Sequence, residues 1–153
     1  MRVCIIPEFP ASLMTGGLQV QASETFQALS ALGEGFSAGL FNWSENEPLP
    51  DVYHFIGFPT YLHRIAELIH HAGRPYVITV LLGSTGNRAR RWLASARHFA
   101  NAHVLRQRQS RDAFNRAAAV LTITETEAAA VRLLYRLEAA RVQVVPHGVS
   151  ERF

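Results

Sequence analysis

Short apolar runs alternate along the chain with longer segments in which apolar residues return every third or fourth position. That alternation is expected of a parallel sheet covered by helices on both faces. The runs predict six strands, at Arg2 to Pro7, Phe36 to Phe41, Val52 to Gly57, Tyr76 to Leu82, Val120 to Thr124 and Val142 to Pro146. They are rich in Val and Ile with little polar alternation, which suits strands buried on both faces. Leu18, Ala22, Phe26, Leu29 and Leu32 line a first helix ending at Gly33, and Leu62, Ile65, Leu68, Ile69 and Ala72 line a second ending at Gly73, with Pro75 beyond. Glycine just past the last periodic residue is a helix stop signal. After the fifth strand, Ala130, Leu133, Leu134 and Leu137 form a third stripe, opened by Thr124 and Glu127 at capping-box spacing. The expected fold is a Rossmann-like, doubly wound α/β sheet of about six parallel strands in the order 2-1-3-4-5-6, with its ligand-facing loops at the carboxyl edge.

Size and composition fit one domain over residues 1–153, with 48% apolar and 18% charged residues. The single cysteine, Cys4, lies in the first apolar run, so no disulfide forms within the chain and a reducing, cytoplasmic compartment is expected. Only four apolar residues separate Arg2 from Pro7, too few for a signal peptide, and no run approaches the roughly twenty apolar residues of a membrane span. All fifteen basic residues are arginine, which removes lysine Schiff-base chemistry.

Charge changes the picture in one place. The long segment from Gly86 to Ala118 carries Arg88, Arg90, Arg91, Arg97, Arg106, Arg108, Arg111 and Arg116 against Asp112 alone, a net +7 in a chain of +3. Trp92, Ala96, Phe99 and His103 share one helical stripe there. Arg88, Arg90, Arg91 and Trp92 are candidate contacts for anionic lipid or an anionic acceptor, in a protein peripheral on the inner membrane face. The alternative is a solvated helix face whose apolar side packs on the sheet. Nucleic acid is not an expected partner, because no recognition helix, zinc ligands or aromatic RNA-binding motif accompanies the charge. No metal is expected: His70 and His71 are adjacent on a helix, and neither has a ligand-type residue at i+4 on its face.

Three loops at strand exits are candidate sites. The first runs from Glu8 into Gly16-Gly17 at the start of the first helix, where paired glycines either bare backbone amides to a phosphate or simply turn the chain. The second follows Asp51-Val52-Tyr53-His54-Phe55-Ile56-Gly57, in which His54 is either a ligand-facing hydrogen-bonding group or a satisfied core histidine. The third, Gly83-Ser84-Thr85, is a small polar loop that lines a cleft or makes a plain turn.

The carboxyl-terminal stretch is the most distinctive. It runs from Arg116 through Val120-Leu121-Thr122-Ile123-Thr124-Glu125, across an amphipathic helix, to Val142-Gln143-Val144-Val145-Pro146-His147-Gly148-Val149-Ser150-Glu151-Arg152-Phe153. With the Gly16-Gly17 loop and Asp51-Val52-Tyr53-His54 in the same order, it resembles the amino-terminal domain of retaining GT-B glycosyltransferases, the glycosyl transferases group 1 (family 4-like). His147 and Ser150 stand where that family has Asn and Asp in its Pro-Asn-Gly-Val-Asp ending. The resemblance covers essentially the whole chain.

It implies a hexosyltransferase-type enzyme whose second, donor-binding domain follows this one and is the chain's partner. It also implies a glycan or lipid-linked acceptor, a nucleoside diphosphate sugar as substrate, and no tightly bound cofactor. In it, Gly16, Gly17, Gly57 and Thr124 face the donor diphosphate or sugar, His54 is the catalytic candidate, and Gly83, Ser84 and Thr85 line the acceptor side. Many relatives have histidines where this chain has Ile56 and Leu81, so the resemblance implies transfer stabilised by backbone donors, with no protein nucleophile. The 153-residue domain alone is expected to be inactive. A non-catalytic glycan or lipid head-group binding domain of the same fold is the alternative.

Overall fold

The computed structural model describes residues 1–8, 16–33, 35–42, 49–57, 62–80 and 105–146. Within them the strands are β1 (Arg2–Pro7), β2 (Ser37–Leu40), β3 (Val52–Ile56), β4 (Tyr76–Thr79), β5 (Ala119–Thr122) and β6 (Val142–Val144). The helices are α1 (Gly17–Ala31), α2 (His63–His71), α3 (Leu105–Arg116) and α4 (Glu125–Tyr135), with a 3₁₀ turn at Ala139–Arg141. All six strands join one parallel sheet in the order β2-β1-β3-β4-β5-β6, as the apolar pattern predicts. No helix among the described residues is long and apolar enough to cross a membrane.

The two sheet faces carry different cores. Ile5 and Ile56 face α1 and bury Ala22, with Leu18, Phe26 and Leu29 packed against them. The opposite face is larger: Phe55, Tyr76, Ile78 and Val120 lie under Ala66 and Ile69 of α2, Phe114 of α3 and Val131 of α4. There the Phe114 and Tyr135 rings stack at 3.9 Å and Phe55 meets Tyr76 edge-on at 5.7 Å, geometries that add to area burial. The amino edge is tied separately, where Asp51 accepts the Arg2 amide at 2.8 Å and lies 4.0 Å from the Arg74 guanidinium.

Four stripe positions are corrected. Leu32, Leu68 and Leu133 are 60%, 66% and 50% exposed, and Ala72, the C-cap of α2, is exposed too. Leu32 is the C-cap of α1, past the last full turn that meets the sheet. On α2, Leu62, Ala66 and Ile69 set the buried face, and Leu68 falls to its side. On α4 the inward stripe runs through Glu127, Ala128 and Val131, offset from Ala130 and Leu133. Strand ends are also shorter than the apolar runs, since β4 pairing ends at Thr79 and β5 pairing at Thr122. Single backbone hydrogen bonds continue beyond those pairs, from the Val80 amide to the Leu121 carbonyl at 2.9 Å and from the Val145 amide to the Thr122 carbonyl at 2.8 Å.

Candidate functional site

In a doubly wound sheet the ligand crevice opens at the carboxyl edge where the strand order reverses. Here that point lies between β1 and β3, since the chain runs from β1 outward to β2 and then crosses back to β3. Backbone hydrogen bonds continue past the strand ends at this edge: the Glu8 amide donates to the Ile56 carbonyl at 3.0 Å and the Gly57 amide to the Thr79 carbonyl at 2.9 Å. The edge is therefore rigid backbone at Glu8 and Gly57.

α1 begins at the same edge. Gly16 is its N-cap, with φ −171° and ψ 179°, and no side chain caps the helix start. The first turn also carries no acidic residue. A helix amino end leaves amides without intrahelical partners and carries a partial positive charge, so it favours an anion. Neither glycine is demanded by the backbone. Gly16 is in an extended conformation that any residue adopts, where a Cβ would meet only the movable end of Gln19 at 3.3 Å, and a Cβ on Gly17 would meet nothing within 4 Å.

Gly57 is the opposite case. Its φ is +74°, and a Cβ built there would lie 2.6 Å from Glu8 Oε2, 3.0 Å from Glu8 Cβ and 3.3 Å from Leu18 Cδ2. Its amide already donates to Thr79, so what it offers the crevice is the absence of a side chain. The Glu8 carboxyl fills that absence, and partial burial pushes its pKa upward. Glu8 was missed as a candidate; an acid directly after a buried apolar strand was the available signal.

His54 sits one strand layer below the edge, in register with Ile5 on β1 and Val77 on β4. It is 9% exposed, and its Nε2 lies 2.7 Å from Thr79 Oγ1. Burial lowers its pKa to about 4, so the imidazole is neutral at physiological pH. Its surroundings are those of a satisfied core histidine bridging β3 and β4.

Thr124 stands apart from the glycine pair, at the exit of β5, two strands further along the sheet from β3. It caps α4: Oγ1 accepts from the Glu127 amide at 3.2 Å, while Glu127 Oε2 accepts from the Thr124 and Ile123 amides. The structure brings together Gly16, Gly17, Gly57 and Glu8, with His54 beneath, and leaves Thr124 outside that cluster. Gly83, Ser84, Thr85, Arg88, Arg90, Arg91 and Trp92 lie outside the described residues. A polar groove of about 100 Å³ between α2 and α3, lined in part by Arg64, Glu67, Asp112 and Arg116, lies on the sheet face opposite α1. No group of three or more His, Cys, Asp or Glu side chains converges among the described residues.

No curated protein matches the chain. The family described as Glycosyl transferase 4-like domain matches residues 8–148, which include every strand after β1 and the whole carboxyl edge. The doubly wound six-strand parallel sheet and this match agree: the chain belongs to the Glycosyl transferase 4-like domain family.

Proposed function

We propose that this chain is the amino-terminal, acceptor-side half of a retaining glycosyltransferase, which moves a sugar from a nucleoside diphosphate donor to a glycan or lipid-linked acceptor. A donor-binding domain closes over the carboxyl edge, and the donor diphosphate meets the backbone amides at Gly16-Gly17. The observation that carries this reading is the pair of glycines at an uncapped helix start that the local backbone does not require. Side chains there would screen the amides from a phosphate; glycine leaves them bare.

Catalysis in this reading is electrostatic. As the donor's glycosidic bond breaks, the leaving diphosphate gains negative charge, the α1 amino end stabilises it, and the diphosphate takes the acceptor's proton. His54 moves no proton in this scheme. With Nε2 engaged by Thr79 and its charge suppressed, it positions the β3–β4 floor of the crevice.

Gly17→Asp separates binding from folding. An aspartate in the first turn favours the helix and finds open space, yet it repels an approaching phosphate. Inorganic pyrophosphate is expected to shift the Gly16 and Gly17 amide resonances of the chain in a saturable, salt-sensitive way, and Gly17→Asp is expected to weaken that binding about ten-fold. Unshifted Gly16 and Gly17 amides, or equal affinity in the variant, would refute the phosphate site.

A further inference from the structure

α1 starts with little local support. Its first residue, Gly17, is a poor helix former, no side chain caps the first turn, and no acid lies in it. The start of α4 is secured differently, by the side-chain hydrogen bonds of Thr124 and Glu127. Along the 15 residues of α1 only Ala22 is buried, so the helix as a whole rests lightly on the sheet. The first turn is formed all the same, with the Gln19 and Val20 amides donating to the Gly16 carbonyl at 3.1 and 3.2 Å. What holds it is packing. Val20 is 59% exposed, whereas Leu18 is half-buried against Ile5 and Ile56.

Leu18 also meets the β3 exit. A Cβ on Gly57 would lie 3.3 Å from Leu18 Cδ2, so the helix start comes this near β3 because position 57 has no side chain. The seat itself is fixed backbone. Its φ of +74° favours glycine, and the Gly57 amide is bonded to the Thr79 carbonyl of β4 at 2.9 Å. We infer that Leu18 is the positioning residue of this edge: seated on Gly57, it fixes the first turn of α1, and with it the Gly16 and Gly17 amides, against the β3 exit. The functional consequence rests on the phosphate reading of the same edge. An anion binds the first turn only in chains where that turn is formed, so its apparent affinity falls with the fraction formed.

Leu18→Ala in the 153-residue chain tests this, with inorganic pyrophosphate as the probe. Alanine is the better helix former, so intrinsic propensity alone would strengthen the turn and only lost packing would weaken it. The α-carbon chemical shifts of Gln19 and Val20 are expected to move towards random-coil values while those of Ser23 to Ala28 keep theirs. Pyrophosphate is expected to bind about five-fold more weakly. Leu18→Met, which conserves volume, is expected to restore both the carbon shifts and the affinity, and Val20→Ala, at the exposed apolar residue of the same turn, is expected to weaken neither. Parent-like carbon shifts at Gln19 and Val20 in Leu18→Ala, or parent-like pyrophosphate affinity there, overturns the inference. Absent pyrophosphate shifts at Gly16 and Gly17 in the parent would count against the phosphate site, and the carbon shifts would still decide whether Leu18 seats the helix.

Discussion

Gly57→Val is expected to lose about 3 kcal/mol of folding stability, lowering the thermal midpoint by about 10 °C in a domain of this size. Two causes add. At φ +74° any side chain costs roughly 1–2 kcal/mol, and a β-branched one more. The new Cβ would also fall 3.0 Å from Glu8 Cβ, which cannot swing away because the Glu8 amide is bonded to Ile56. Gly17→Ala makes the contrast: with open space and no positive φ, it is expected to be neutral or slightly stabilising. Denaturant midpoints of the two variants and the parent would check this, and equal stability of Gly57→Val and the parent would contradict the described edge.

Acid is expected to remove about 3 kcal/mol of stability through His54 alone. Its imidazole titrates at about 4 in the folded chain against an ordinary value of 6.5, because burial disfavours the charged form. The unfolded chain therefore binds the proton more tightly than the folded one. The His54 contribution is complete above pH 6.5 and is lost as pH falls from 6.5 towards 4. Carboxylates titrate in the lower part of that window, so the informative quantity is a difference between proteins. His54→Leu combined with Thr79→Val, which leaves neither hydrogen-bonding partner orphaned, is expected to flatten the slope of stability against pH between 6.5 and 4. An unchanged slope would place the titrating group elsewhere.

The fold was readable because the buried strands are short Val- and Ile-rich runs and the first two helices end in glycine. Gly33 and Gly73 both take the positive φ that their positions imply, and Thr124 with Glu127 forms the capping box that their spacing implies. Which residues of a helix face inward was less legible. Leu133 has the same hydrophobicity whichever way it points, and the small residues Ala66 and Ala128 mark the closest approaches to the core.

The candidate site divides along the same line. The strand exits were legible, because carboxyl edges collect ligand-binding loops. The distinction between glycines was not: Gly16, Gly17 and Gly57 read alike as letters, yet Gly57 alone of the three has a positive φ. His54 was legible as two alternatives, and the 2.7 Å approach to Thr79, a residue 25 positions later, favours the buried structural one. Glu8 escaped notice because nothing in sequence announces that a glycine 49 residues away will leave room for its carboxyl.

Sugar transfer itself is the most direct measurement of what the α1 edge does. A protein that joins this chain to the donor-binding domain proposed above would be assayed with a panel of nucleoside diphosphate sugars, alongside its Gly17→Asp variant and the 153-residue chain alone. The expected result is transfer with retained anomeric configuration, a loss of about 100-fold in kcat/KM for Gly17→Asp, and no turnover by the chain alone. Turnover by the 153-residue chain, or full activity of the Gly17→Asp enzyme, would contradict the assignment of this edge to the donor diphosphate.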